Sequence, residues 1–358
     1  QMSDFRTREK GRQSTNKAVL FSGAACQSGR YENKKGAKRY PFCLHEDCSA
    51  ENLHESIRDE AIEYFQNRRI PWHDGKTKKT KHDLPSSHLL CSQSFCVNTF
   101  FPFIHEKDLL CEILNDIGFL AKEVLPFYED VSEDMPKQKE CDIFVCFEWI
   151  GKKNYLGELI QKGKKRTRGK NFTSSDFAIR FKQNDGDIHI VLGEWKYSER
   201  YDAGKNMRFS KYGTDRLSIY RDSLLHDSSQ IQLKNIECSG CEQNANCDLR
   251  AETMFYEPFY QLMRLQLLAS QMELHEEMKA DIVSVLHVSP HANKELLENI
   301  TSPSLRCMGN DLYEIWEKIV IPKRFRFIHV EDLIPIVTRH SPSTSWAKYM
   351  NTRYGNIE

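Results

Sequence analysis

Apolar positions along the chain follow two periods. At helical spacing, Leu53, Ile57, Ala61, Ile62 and Phe65 predict a helix over 50–67, and Leu109, Leu110, Ile113, Leu114 and Ile117 predict a second over 105–120. Phe255, Phe259, Leu262, Met263, Leu265, Leu268, Ala269 and Met272 predict a long helix over 252–278, and shorter ones follow at 293–300 and 311–320. Runs rich in β-formers mark strands at 141–150, 175–182, 188–195, 280–288 and 324–330. Asp185-Gly186 between the second and third of these predicts a hairpin. In the third strand Ile188, Ile190 and Leu192 share a face with Glu194, while Val191 and Trp195 lie on the other. A strand apolar on both sides belongs in the middle of a covered sheet. The order helix, three strands, helix, strand predicts an α/β fold: an αβββαβ core with a central mixed sheet flanked by helices, and helical additions at both ends.

Polarity then divides the chain. Residues 1–83 form an N-terminal extension with one helical segment, and the first forty or so are expected to be a loosely packed arm. Residues 84–340 form the core, with a cysteine-containing insertion at about 226–250, and 341–358 form a polar tail. No apolar run reaches the roughly 18 residues of a membrane span. Twelve cysteines without a secretory signal or framework spacing point to reduced thiols in the cytoplasm.

Lys plus Arg equals Asp plus Glu at 51 each, so net charge makes no case for a polyanionic partner. Local charge does. The run at 162–170, with Lys164, Lys165, Arg166 and Arg168, falls just before Asp176, and a second basic run lies at 76–81.

The candidate chemistry lies at the end of the third strand, in Gly193-Glu194-Trp195-Lys196. Alternation puts Glu194 and Lys196 on one face, and Asp176 comes from the neighbouring strand. Two carboxylates and an ammonium can hold a divalent metal beside an activated water, the arrangement that phosphodiester hydrolysis requires.

Asp176 followed by Glu194-x-Lys196 resembles the catalytic signature of the PD-(D/E)XK nuclease superfamily. Further strings are similar to its bacterial restriction-endonuclease-like branch: Trp72-His73, the stretch 92–102, Tyr155-Leu156-Gly157-Glu158, Lys165-Arg166-Thr167-Arg168-Gly169, Thr173-Ser174-Ser175-Asp176, Glu194 to Glu199, and Tyr260-Gln261-Leu262 with 265–269. The resemblance covers roughly residues 40–335. It implies a restriction-endonuclease-like core and metal-dependent cleavage of DNA, in restriction or host defence. Asp176 and Glu194 would ligate Mg²⁺ or Mn²⁺. Lys196 would orient or help deprotonate the attacking water, a role that benefits from a lowered pKa. A further acid would come from Glu106, Glu112, Glu148 or Glu158, with Glu148 and Glu158 favoured, and Gln261 could reach the site from the long helix. Lys164, Lys165, Arg166 and Arg168 would hold the nucleic-acid backbone. Cutting both strands of a duplex usually takes two sites, so a homodimer is expected. The alternatives are a catalytically silent DNA-binding module of the same fold, or a nuclease directed at RNA or at particular structures.

Cys238, Cys241 and Cys247 have thiolate metal-site spacing and would suit a structural Zn²⁺, although no fourth ligand is adjacent. Free loop thiols are the other reading. Cys43, His45, Cys48 and His54 also form a ligand-type set, with ordinary buried cysteines as the alternative.

Overall fold

The computed structural model describes residues 4–33, 36–73, 83–128, 143–158, 166–169, 172–201, 205–236 and 247–357. In chain order the elements are α1 (Phe5–Leu20), β1 (Gly29–Asn33), β2 (Gly36–Tyr40), α2 (Arg58–Asn67), α3 (Ser92–Phe100), α4 (Lys107–Asp116), β3 (Ala121–Leu125), β4 (Val145–Trp149), β5 (Ser175–Gln183) and β6 (Ile188–Trp195). Then follow α5 (Leu217–Leu225), α6 (Cys247–Glu252), α7 (Phe259–Leu274), β7 (Ile282–Ser289), α8 (Lys294–Leu297), α9 (Leu312–Ile319), β8 (Phe325–His329), α10 (Val330–Arg339) and α11 (Thr344–Tyr354).

One six-stranded mixed sheet organises them, in the order β3-β5-β6-β7-β8, with β4 also paired to β5. β5 runs antiparallel to β3, β4 and β6, whereas β7 is parallel to both β6 and β8. The expected αβββαβ core is present as α4, β4, β5, β6, α7 and β7, with β3 as an additional strand between α4 and β4. β6 is central and fully covered. Phe177, Ile179, Val191 and Trp195 enter a core with α1–α4, α10 and α11. Ala178, Ile190 and Leu192 enter a second core on the other face with α5–α9.

Gly193 makes close strand packing possible. It faces Phe177 in register, and a Cβ there would lie 2.0 Å from the Phe177 ring. The long helix begins later than its apolar pattern implies. α6 ends at Glu252 and α7 starts after Pro258, because proline disfavours helical geometry in the residue before it.

The two chain ends depart most from expectation. Residues read as a loose arm form α1, whose buried face is Phe5, Glu9, Gln13 and Lys17. The Lys17 ammonium donates to the carbonyls of Gln27 (2.8 Å) and Cys43 (2.9 Å), which is how so polar a face can be buried. Residues read as a polar tail form α11. Trp346 Nε1 donates to the Asn98 carbonyl at 2.8 Å, and Tyr354 stacks on Phe95 with ring centroids 3.6 Å apart. Among the described residues no helix is long and apolar enough to cross a membrane, and the eight described cysteines are free thiols.

Candidate active site

Register alone aligns three carboxylates. Glu194 lies one step beyond the paired positions Phe177 and Gly193, which sets it opposite Asp176. Glu148 lies between the pairs Phe147–Phe177 and Trp149–Ser175, which sets it opposite Asp176 from the other side. Glu148, Asp176 and Glu194 therefore cross three adjacent strands on the face that α7 covers, and all three line one cavity of about 410 Å³ with Lys196 and Gln261.

Hydrogen bonds fix the arrangement. The Trp195 N–H donates to Asp176 Oδ2 at 2.6 Å, tying β5 to the end of β6. Lys196 Nζ lies 2.5 Å from Glu194 Oε1 and donates to Gln261 Oε1 at 2.7 Å. Gln261 Nε2 donates in turn to the Tyr201 hydroxyl at 2.9 Å. Glu194 and Lys196 are 7% and 8% exposed, so this ion pair is shielded from bulk water.

The neighbours of Lys196 reverse the lowered pKa expected of it. Burial by itself would lower the Lys196 pKa, but Glu194, with Tyr201, Glu199 and Asp176, more than reverses it and holds the ammonium well above its usual range. Lys196 is thus held in its charged form between Glu194 and Gln261. Asp176 moves the other way from an ordinary carboxylate: burial first, then repulsion from Glu194 and Glu148, push it well up, against the pull of Lys196. Carboxylates that repel one another in a shared, poorly solvated hollow are a donor set that a divalent cation would relieve.

Glu148 is held in an uncommon conformation. Its φ is +52°, in the left-handed region, at a cost on the order of 1–3 kcal/mol. Gln93 Nε2 donates to Oε1 (3.1 Å), Ser174 Oγ donates to Oε2 (2.7 Å), and Arg168 Nε donates to the Glu148 carbonyl (3.1 Å). Gly169 (φ +65°) lies against this carboxylate, and a Cβ there would sit 3.2 Å from the carboxyl carbon. Strings distant in sequence meet here, since Gln93 Oε1 also accepts from the His73 N–H at 2.8 Å.

Glu158 does not join the three carboxylates. It accepts from the Thr173 N–H (2.8 Å), the Thr173 hydroxyl (2.6 Å) and the Tyr220 hydroxyl (2.9 Å), and pairs with Arg264 at 3.3 Å. It braces the segment leading into Asp176 and lines a neighbouring cavity instead. Glu106 is exposed ahead of α4, and Glu112 pairs with His340. Arg166 and Arg168 turn donors inward, Arg166 to the carbonyls of Ile150 and Gly151, Arg168 to those of Phe147 and Glu148. Lys164, Lys165, Cys238, Cys241 and the run at 76–81 lie outside the described residues; Cys247 opens α6, with its side chain outside them.

Pattern reasoning missed Glu199, Tyr201, Glu257 and Arg264, which also line the cavity. Arg264 was findable, since Gln261, Arg264 and Leu265 stand at i, i+3 and i+4 on one face of α7. Burial raises the Glu257 pKa against the pull of Lys196. Nothing in its local sequence marks it.

Among the described residues no three His, Cys, Asp or Glu side chains form a ready metal cage, and this includes Cys43, His45, Cys48 and His54. Mg²⁺ does not need one. It binds through one or two carboxylates, keeps several waters and takes phosphate oxygens from substrate, so Asp176 and Glu194 fit it as a pair.

A family model described as Restriction Endonuclease associating with ARP matches residues 17–355. No curated protein and no solved structure gives a significant match.

Proposed function

The chain belongs to this restriction-endonuclease family, and we propose that it hydrolyses phosphodiester bonds in DNA with a divalent metal, in restriction or host defence. The observation that carries the reading is the convergence of Glu148, Asp176, Glu194, Lys196 and Gln261 on one cavity from β4, β5, β6 and α7.

Asp176 and Glu194 would hold Mg²⁺ or Mn²⁺, which supplies an activated water at neutral pH and offsets charge on the phosphate. Lys196, fixed between Glu194 and Gln261, places a permanent positive charge where negative charge grows on phosphate oxygens. Gln261 sets the direction of that ammonium and is itself set by Tyr201. Glu148 offers acceptor lone pairs beside Asp176 to orient the attacking water, its carboxylate being clamped by Gln93 and Ser174. Glu158 acts at one remove, by bracing Thr173. Phosphate contacts along the strand would fall to Lys164 and Lys165, because Arg166 donates to the Gly151 carbonyl and Arg168 to that of Glu148.

The test is incubation with Mg²⁺ or Mn²⁺ and duplex DNA, single-stranded DNA or RNA, wild type beside Lys196→Ala and Asp176→Asn. Both variants should lose cleavage by about 10³-fold or more while melting as folded proteins. Cleavage undiminished in both would overturn the assignment, and salt-sensitive binding without cleavage of any substrate would favour a silent binding module.

A further inference from the structure

A second cavity, of about 290 Å³, adjoins the first and shares His73, Ser92, Glu199 and Tyr201 with it. Its character is different. Where the first gathers carboxylates, the far wall of the second brings in Arg6 from α1, Arg200 and His88. The acid between them, Glu199, has its carboxylate drawn back onto the Tyr197 N–H at 2.6 Å.

One buried donor here has no matching acceptor. Arg6 Nε is buried without a hydrogen-bond partner among the described residues. Arg200 pairs with Asp4 at 2.9 Å, but both are substantially exposed, so the pair holds the guanidinium only weakly. His88 is 6% exposed, and its Nδ1 accepts from the Leu90 N–H at 3.0 Å. A neutral ring must therefore carry its proton on Nε2, and His88 lines this cavity. Burial, with Arg6 and Lys10 nearby, pushes the His88 pKa down to about 3, so it serves as a neutral donor. α3 also starts here, at Ser92, with no capping hydrogen bond from the Cys91 side chain, and its positive end faces the shared wall.

We infer that the second cavity binds a phosphate of the substrate strand flanking the scissile one, with Arg6, Arg200, the His88 Nε2–H and the start of α3 as its donors. Continuity with the carboxylate cavity argues for a strand passing through both rather than a separate small anion. A buried donor without an acceptor, as Arg6 Nε is, is costly unless a ligand completes it, and a phosphodiester supplies acceptor oxygens with a negative charge. The inference rests on the nuclease reading and adds a substrate subsite to it, built by a helix that lies outside the nuclease core.

Binding without cleavage tests it. Intact Lys196→Ala protein in chelator is titrated into fluorescein-labelled single-stranded and duplex oligonucleotides at several salt concentrations. Adding Arg6→Gln should weaken binding about tenfold and lower the slope of log K against log salt by about one, with an unchanged melting temperature. Adding Arg200→Gln should weaken it further, while Arg6→Lys should retain most of the slope. Scanning single uncharged methylphosphonates along the oligonucleotide should find one position at which the parent and its Arg6→Gln derivative bind alike. Equal affinity and slope in the parent and the double variant Arg6→Gln/Arg200→Gln would overturn the inference. So would competition by inorganic phosphate at concentrations where an oligonucleotide competes, which would make this a small-anion site. Failure of the parent to bind any nucleic acid would instead sink the nuclease reading beneath it.

Discussion

Alternate residues at the end of β6 do opposite work. Trp195 and Tyr197 enter the face packed by α1, α3 and α11, where Phe95 meets Trp195 edge-on at 4.9 Å and Tyr197 at 5.0 Å. Glu194 and Lys196 enter the other face, beneath α7, and border an open hollow. One side fills space with rings, and the other keeps space free and lines it with charge. A site of crowded like charges is intrinsically unfavourable, so packing on the opposite face of the same strand adds to the hydrogen bonds that hold it.

Substitutions on the two sides should therefore separate stability from chemistry. The largest structural effect is expected from Trp195→Ala, which empties a buried ring site and should cost about 3–5 kcal/mol in denaturant unfolding. A loss as small as that of an exposed residue would break the contrast. Tyr197→Phe comes next. The Tyr197 hydroxyl donates to Glu9 (2.5 Å) and accepts from Gln13 (2.9 Å), so its removal strands buried polar groups at about 1–3 kcal/mol. Because Tyr197 lies outside the cavity, the comparison sharpens if residual cleavage tracks the folded fraction rather than falling independently.

The smallest effect has the opposite sign. Asp176 is pushed up from an ordinary 3.8, so the fold favours its protonated form and ionisation near neutrality weakens the fold. The stability of this group is fully present below the unfolded-state pKa and is lost as pH rises through the raised folded value. Asp176→Asn, though inactive, should melt higher than wild type near pH 7 without metal, and the gap should close below about pH 4. Adding Mg²⁺ should raise the wild-type melting temperature more than that of the variant. An unchanged gap across pH would remove the idea that this face is held under electrostatic stress.

Much of this was legible from pattern. The two-faced apolar run of β6 marked it as central, and the hairpin put Asp176 on the neighbouring strand, though not its register opposite Glu194. What hid was burial achieved by polar residues. On α1, Glu9, Gln13 and Lys17 recur every four positions like any buried face, but they are charged or polar, and hydropathy reads the helix as solvent-facing. β3 hid because only Ala121 and Val124 are buried around exposed Lys122 and Glu123. Glu148 and Glu158 looked equivalent in sequence. Their partners separate them: Thr173, Tyr220 and Arg264 engage Glu158, whereas the left-handed backbone of Glu148 keeps it beside Asp176.

Arg12 donates both to the Tyr197 hydroxyl and, at 2.8 Å, to the carbonyl of Arg353, which lies 341 positions further along the chain. Translation supplies Asp176, Glu194, Lys196 and Gln261 well before it supplies that carbonyl. A growing polypeptide thus has every charged group of the cavity before it has the brace behind the strand that carries them. The order of synthesis thus lets the rigid form of this strand end be completed only after the cavity residues have been made.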